Sequence, residues 1–172
     1  MACDRVLVVG VGNRMYGDDA FGPAMIDALR RCGFPCDTAD SDGGLFFLAS
    51  LLEDKELVVF IDILDEEYGS PGDVVTLTLN PSRLSGEDYA RLFSMETSPH
   101  TVTPAHIVAV AYSGGIFRGK AVVVGVVSTA TGFAQPLSDT VKKRVVDVCE
   151  KVSEILKVRF DCSCVGKILG VT

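Results

Sequence analysis

Three stretches of the chain are almost continuously apolar: RVLVVG at 5–10, LVVFIDIL at 57–64 and KAVVVGVV at 120–127. Runs of this length, rich in β-branched residues and closed by turn residues, predict strands covered on both faces. Between them the apolar spacing changes. Phe21, Ala24, Met25, Ala28, Leu29 and Cys32 fall three, four, seven, eight and eleven places apart, which predicts a helix over 19–32 with Pro23 in its first turn and Gly33 past its end. Asp18 or Asp19 is placed to cap its start. A weak strand is expected over 35–40, a turn at DGG (42–44) and a short helix at 45–53. DVVTLTL (73–79) alternates as a paired strand does. Only a short turn separates it from 57–64, so the two are expected to run antiparallel. NPSRLSGEDYARLFSMETSPHTVTP (80–104) reads as a long functional loop holding about one helical turn. Helices are expected at 104–113 and, beyond the loop STATGFAQP (128–136), at 137–158. Val141, Val145, Val148, Val152, Ile155 and Leu156 form the inner stripe of the last one. Residues 158–172 are left as a C-terminal tail.

Strands alternating with helices predict a single α/β domain over 1–172. Its expected form is a three-layer sandwich: a mostly parallel central sheet of about five strands, one strand antiparallel, helices on both faces. At 172 residues with 48% hydrophobic residues, the chain can bury a sizeable core. Sixteen basic against 23 acidic residues give a net charge of −7. That balance argues against nucleic acid or an anionic membrane as partner and is compatible with a cation, a metal or a basic peptide. There is no long apolar span and no signal-peptide pattern, so the expectation is a cytoplasmic protein. Its six cysteines (Cys3, Cys32, Cys36, Cys149, Cys162, Cys164) are then expected as thiols. Cys32-x3-Cys36 and Cys162-x-Cys164 are weak candidates for metal.

In α/β sheets, ligands collect beyond the carboxyl ends of the strands. That rule selects Asp18 and Asp19 after the first strand, Asp42 after the second, Asp62 near the end of the next, His100 in the long loop, and Ser128 and Thr129 after the last. His106 falls inside a helix and is read as structural or surface. The stretch GVGNRM has two glycines of a dinucleotide fingerprint. Met15 fills the third position, however, and two carboxylates would face a pyrophosphate, so a dinucleotide-binding oxidoreductase is the weaker alternative. An acid within VVFIDIL is costly unless it is paired or satisfied. Asp19, Asp62 and His100 are expected to converge at one end of one sheet.

GVGNRMYGDDAFGP (10–23) resembles the GxGNxxxxDDGxGP signature of the hydrogenase maturation endopeptidases, which trim the C-terminal tail from the precursor of a [NiFe]-hydrogenase large subunit. SDGG (41–44) resembles the aspartate–diglycine turn of that family, VVFIDIL (58–64) its metal-ligand strand, and TSPHTVTPAHIVAVA (97–111) its ligand-histidine segment. The resemblance spans about 5–158. It implies Asp19, Asp62 and His100 as metal ligands and Asp42 as an acid acting near the scissile peptide; cleavage then needs either the metal to activate a water or the carbonyl, or Asp62 or Asp42 as general base, and the sequence leaves both open. The implied metal is nickel supplied by the substrate precursor, with zinc or another divalent ion able to substitute. The implied partner is a nickel-loaded precursor, an F420-reducing hydrogenase among the possible clients, with no nucleic acid and no membrane. A nickel-sensing maturation chaperone with the same ligands but no hydrolysis is the alternative. Ala20 replaces the usual glycine, VVSTATGF stands where the family often has glutamine–proline, and the final tail has no counterpart. Neither H-E-x-x-H nor G-x-S-x-G occurs. Tyr16 and Phe21 are expected as walls of a substrate groove.

Overall fold

The computed structural model describes residues 3–94 and 102–171. The apolar runs form β1 (Val6–Gly10), β3 (Leu57–Leu64) and β5 (Lys120–Val127), and β2 (Asp37–Asp40) and β4 (Val74–Leu79) complete one sheet in the order β2-β1-β3-β5-β4. β1, β2, β3 and β5 are parallel, and β4 is antiparallel to β5. β4 therefore runs as its short connection to β3 requires, but β5 lies between the two. Its alternating burial fits an edge position, where one face remains partly wet.

Alternate residues of each central strand feed two cores. Val6, Val8, Val59, Ile61, Val122 and Val124 pack against α1 (Phe21–Arg31), α6 (Val145–Leu156) and α7 (Cys162–Ile168). Leu7, Val9, Val58, Phe60 and Val123 pack against α2 (Leu45–Ser50) and α4 (Pro104–Ser113). This is the expected three-layer sandwich. The loop at 80–104 is more helical than its polarity suggests. α3 (Gly86–Ser94) starts where Asp88 accepts from the Ser85 backbone and hydroxyl while Ser85 Oγ accepts from Asp88 N–H, a reciprocal cap. The helix expected at 137–158 is divided into α5 (Asp139–Lys142) and α6.

Two expectations are overturned. The segment 158–172 is not a loose tail: α7 buries Cys162 and Val165 against α1 and α6, with Asp161 capping its start. The cysteines are not thiols, and none is free for metal. They form three disulfides, Cys3–Cys36, Cys32–Cys164 and Cys149–Cys162. The fold brings these pairs to Cα separations of 4.7, 6.0 and 5.7 Å, within bridging range. Spacing along the chain could not show this: Cys3 and Cys36 meet only because β1 and β2 pair, and the other two bridges form only once α7 docks. Bridged cysteines fit an oxidising compartment or the interior of a hyperthermophile. Among the described residues, no helix is long and apolar enough to cross a membrane.

Candidate active site

The sheet reverses its winding between β1, which leads outward to β2, and β3, which leads toward β5. A crevice opens beyond the carboxyl ends of the strands at such a point. Here it is a cleft of about 540 Å³ lined by Gly12, Asn13, Arg14, Met15, Asp19, Ser41, Asp42, Asp62, Val102 and Thr103, among others.

The glycines of the first motif make the cleft possible by letting backbones touch. A Cβ on Gly10 would lie 2.3 Å from the Gly22 carbonyl oxygen, and one on Gly22 would lie 2.2 Å from that of Val11. Gly12, at φ 139°, would place a Cβ 1.8 Å from the Asp19 carbonyl oxygen. The start of α1 is thereby pressed onto the ends of β1 and β3. No pyrophosphate is needed to explain the glycines.

The paired aspartates have separate tasks, and neither caps α1, whose N-cap is Ala20 without a side-chain bond. Asp18 is fully buried. It accepts from Ser138 N–H and Ser138 Oγ, both at 2.6 Å, and from Ser128 Oγ. Ser138 in turn caps α5, so Asp18 ties the glycine loop to the segment after β5. Ser128, singled out by its position after the last strand, is a structural partner of Asp18.

Asp19 turns the other way, into the cleft. Its Oδ2 accepts from the Asn13 N–H at 2.8 Å. Asp62 shares a strand face with Val58 and Phe60, and its Oδ1 accepts from the Ile63 N–H at 2.8 Å. Burial pushes the Asp62 carboxyl well above the usual carboxylate range; the Ile63 N–H opposes this, and the Asp19 and Asp65 charges add to it. Burial raises Asp19 as well, against the Asn13 N–H. One oxygen of each, Oδ1 of Asp19 and Oδ2 of Asp62, has no donor among the described residues. Both residues line the cleft, and carboxylate oxygens of this kind could hold a divalent metal.

Asp42 lines the same cleft from the Ser41–Gly43 turn, its side chain 66% exposed and its Oδ2 3.3 Å from Arg14 Nε. The fold thus brings Asp19, Asp42 and Asp62 to one cleft. His100 lies outside the described residues, and no group of three or more metal-type side chains forms among those that are described. His106 is buried and structural. Thr103 Oγ1 accepts from the His106 N–H while His106 Nδ1 accepts from the Thr103 N–H, a capping box at the start of α4, and His106 Nε2 is 2.8 Å from the Leu92 carbonyl. Tyr16, expected as a wall, is exposed and in edge contact with Phe133 but is not among the residues lining the cleft. Phe21, the other expected wall, is buried in the core because its ring faces the sheet from the first turn of α1. Phe46 and Phe47, on α2 next to the Asp42 turn, are exposed instead. Sequence reasoning also missed Arg14, whose only signal was a lone cation inside the glycine motif.

No family model matches the sequence. A hydrogenase 2 maturation peptidase from Thaumarchaeota archaeon SCGC_AB-539-E09 has a solved structure that is 30% identical, covering 91% of this chain and all of that one, with a TM-score of 0.63. The chain belongs to the hydrogenase maturation endopeptidases. Escherichia coli hydrogenase 2 maturation protease is 26% identical over 89% of this chain and 91% of its own length. The structure of the E. coli hydrogenase maturating endopeptidase HybD covers 89% of this chain and 92% of that one, with a TM-score of 0.70 at 24% identity. The sheet with its single antiparallel strand is thus the fold of the maturation endopeptidases, and the chain is a hydrolase of that family.

Proposed function

We propose that this chain removes the C-terminal extension of a [NiFe]-hydrogenase large-subunit precursor after nickel insertion, reading the bound nickel as its recognition element. The observation that carries the reading is the joint placement of Asp19, Asp42 and Asp62 in one cleft at the carboxyl ends of β1–β3. Nickel arrives as part of the substrate, held by the precursor's own thiolates. Asp19 and Asp62 each offer a free oxygen to it, and His100 supplies a nitrogen. Such a donor set binds more weakly than a thiolate cage. It can therefore test for the ion without extracting it, and a precursor without nickel docks poorly.

Asp62, half-buried and engaged with nickel, is not free to move a proton. Asp42, at the open side of the cleft, is the group placed to take a proton from the attacking water. The cytoplasm, where precursors receive nickel, is the proposed compartment, and three bridges there fit the hyperthermophile case. The test is incubation with nickel-loaded and nickel-free precursor followed by mass spectrometry. The loaded precursor loses its C-terminal peptide and the nickel-free one does not. Equal cleavage of both would remove nickel from the recognition step. A stable complex of full-length loaded precursor would favour a nickel-sensing chaperone.

A further inference from the structure

Asp42 is mostly exposed, and among the described residues one side chain donates to it: Arg14, through Nε at 3.3 Å. A carboxylate on a short turn with one long contact is poorly fixed unless that partner is itself fixed. Arg14 is. Its Nη1 and Nη2 both reach Asp27, at 2.6 and 3.2 Å, in the two-pronged geometry that sets a guanidinium plane. Asp27 sits on the middle of α1, whose inner face is buried against the sheet, so the brace rests on the most rigid element nearby. It does not line the cleft.

The turn that carries Asp42 is tied to the same frame. Arg14 Nη2 also lies 3.4 Å from Asp40 Oδ2, which Arg30 holds at 3.1 Å. Asp40 Oδ1 accepts from the Asp42 N–H, and Ser41 donates to the Gly12 carbonyl. The backbone of the turn is therefore pinned without Arg14. What Arg14 adds is the direction of the Asp42 carboxylate.

We propose that Arg14, braced by Asp27, is a positioning residue that aims Asp42 at the scissile peptide. This rests on the reading of Asp42 given above. It assigns a kinetic role to Asp27, a surface residue outside the cleft.

The test is steady-state processing of nickel-loaded hydrogenase large-subunit precursor by wild type, Asp27→Asn, Asp27→Glu, Asp42→Asn and the Asp27→Asn/Asp42→Asn double variant, each checked by thermal denaturation. Misaiming a reacting group by about an ångström costs on the order of tenfold or more in rate. Asp27→Asn is expected to lower kcat about tenfold with KM unchanged, Asp27→Glu to recover most of the loss, and the double variant to be no slower than Asp42→Asn alone. A native rate in Asp27→Asn beside a slow Asp42→Asn overturns the brace and leaves Asp42 standing. Equal proportional losses from Asp27→Asn in both backgrounds also overturn it, since Asp27 then acts by another route. A native rate in Asp42→Asn overturns the role of Asp42 and the brace together.

Discussion

Replacing Asp18 with alanine separates the two neighbouring acids by what each does for the fold. Asp18 is fully buried and accepts from one backbone N–H and two hydroxyls. A hydrogen bond to a charged group contributes about 1.5–3 kcal/mol net, so three of them set an upper bound of roughly 4.5–9 kcal/mol if they add. The serine hydroxyls can rotate to new acceptors, which recovers part of that sum. The expected net loss is about 3–4 kcal/mol, in the range seen when one member of a buried polar pair is removed. At about 2–4 °C per kcal/mol for a domain of this size, the midpoint falls by roughly 6–16 °C. Thermal denaturation followed by circular dichroism measures it. Asp19→Ala, one residue on, is the control: it removes a carboxylate that burial destabilises, so stability holds or rises. A loss under about 1 kcal/mol in Asp18→Ala, or equal losses in the two variants, refutes the division of labour.

Asp62→Asn is expected to stabilise the metal-free protein at pH 7. The folded-state pKa of Asp62 is raised, so its favourable contribution is complete below the unfolded value near 4 and is lost as pH rises through the folded value. Wild type and variant should converge at pH 4 and part by about 1–2 kcal/mol at pH 7 in melting curves. Alkylation under denaturing, non-reducing conditions should label none of the six cysteines, where six labels on an intact mass would contradict the bridges. Removing Cys32–Cys164, which closes a separation of 132 residues, should cost about 2–4 kcal/mol in urea denaturation. Gly22→Ala drives a Cβ to 2.2 Å from the Val11 carbonyl oxygen and should cost about 3 kcal/mol or more, seen as a lowered melting point or lost soluble yield.

The layers were legible because β1, β3 and β5 are buried on both faces and leave unbroken apolar runs. The place of β4 was not, since local spacing sets its direction while its neighbour depends on β5, some forty residues later. The cleft acids could be located because the sheet rule ties position after a strand to position in space. The difference between Asp18 and Asp19 could not, because it depends on Ser128 and Ser138, more than a hundred residues away. Arg14 was invisible for the same reason: its three carboxylates come from α1, the end of β2 and the following turn. The bridges were misjudged because compartment was taken as the guide to thiol state, while the pairing of β1 with β2 and the docking of α7 decide which sulfurs meet.

Nickel-edge X-ray absorption of the loaded precursor, alone and frozen within its first turnover with this protein, probes the shared-metal reading without relying on cleavage. The expected spectrum gains oxygen and nitrogen neighbours on mixing with wild type, and gains fewer with Asp19→Ala or Asp62→Ala. A nickel shell identical with and without wild-type protein, while the tail is still removed, would show that these aspartates do not touch the metal.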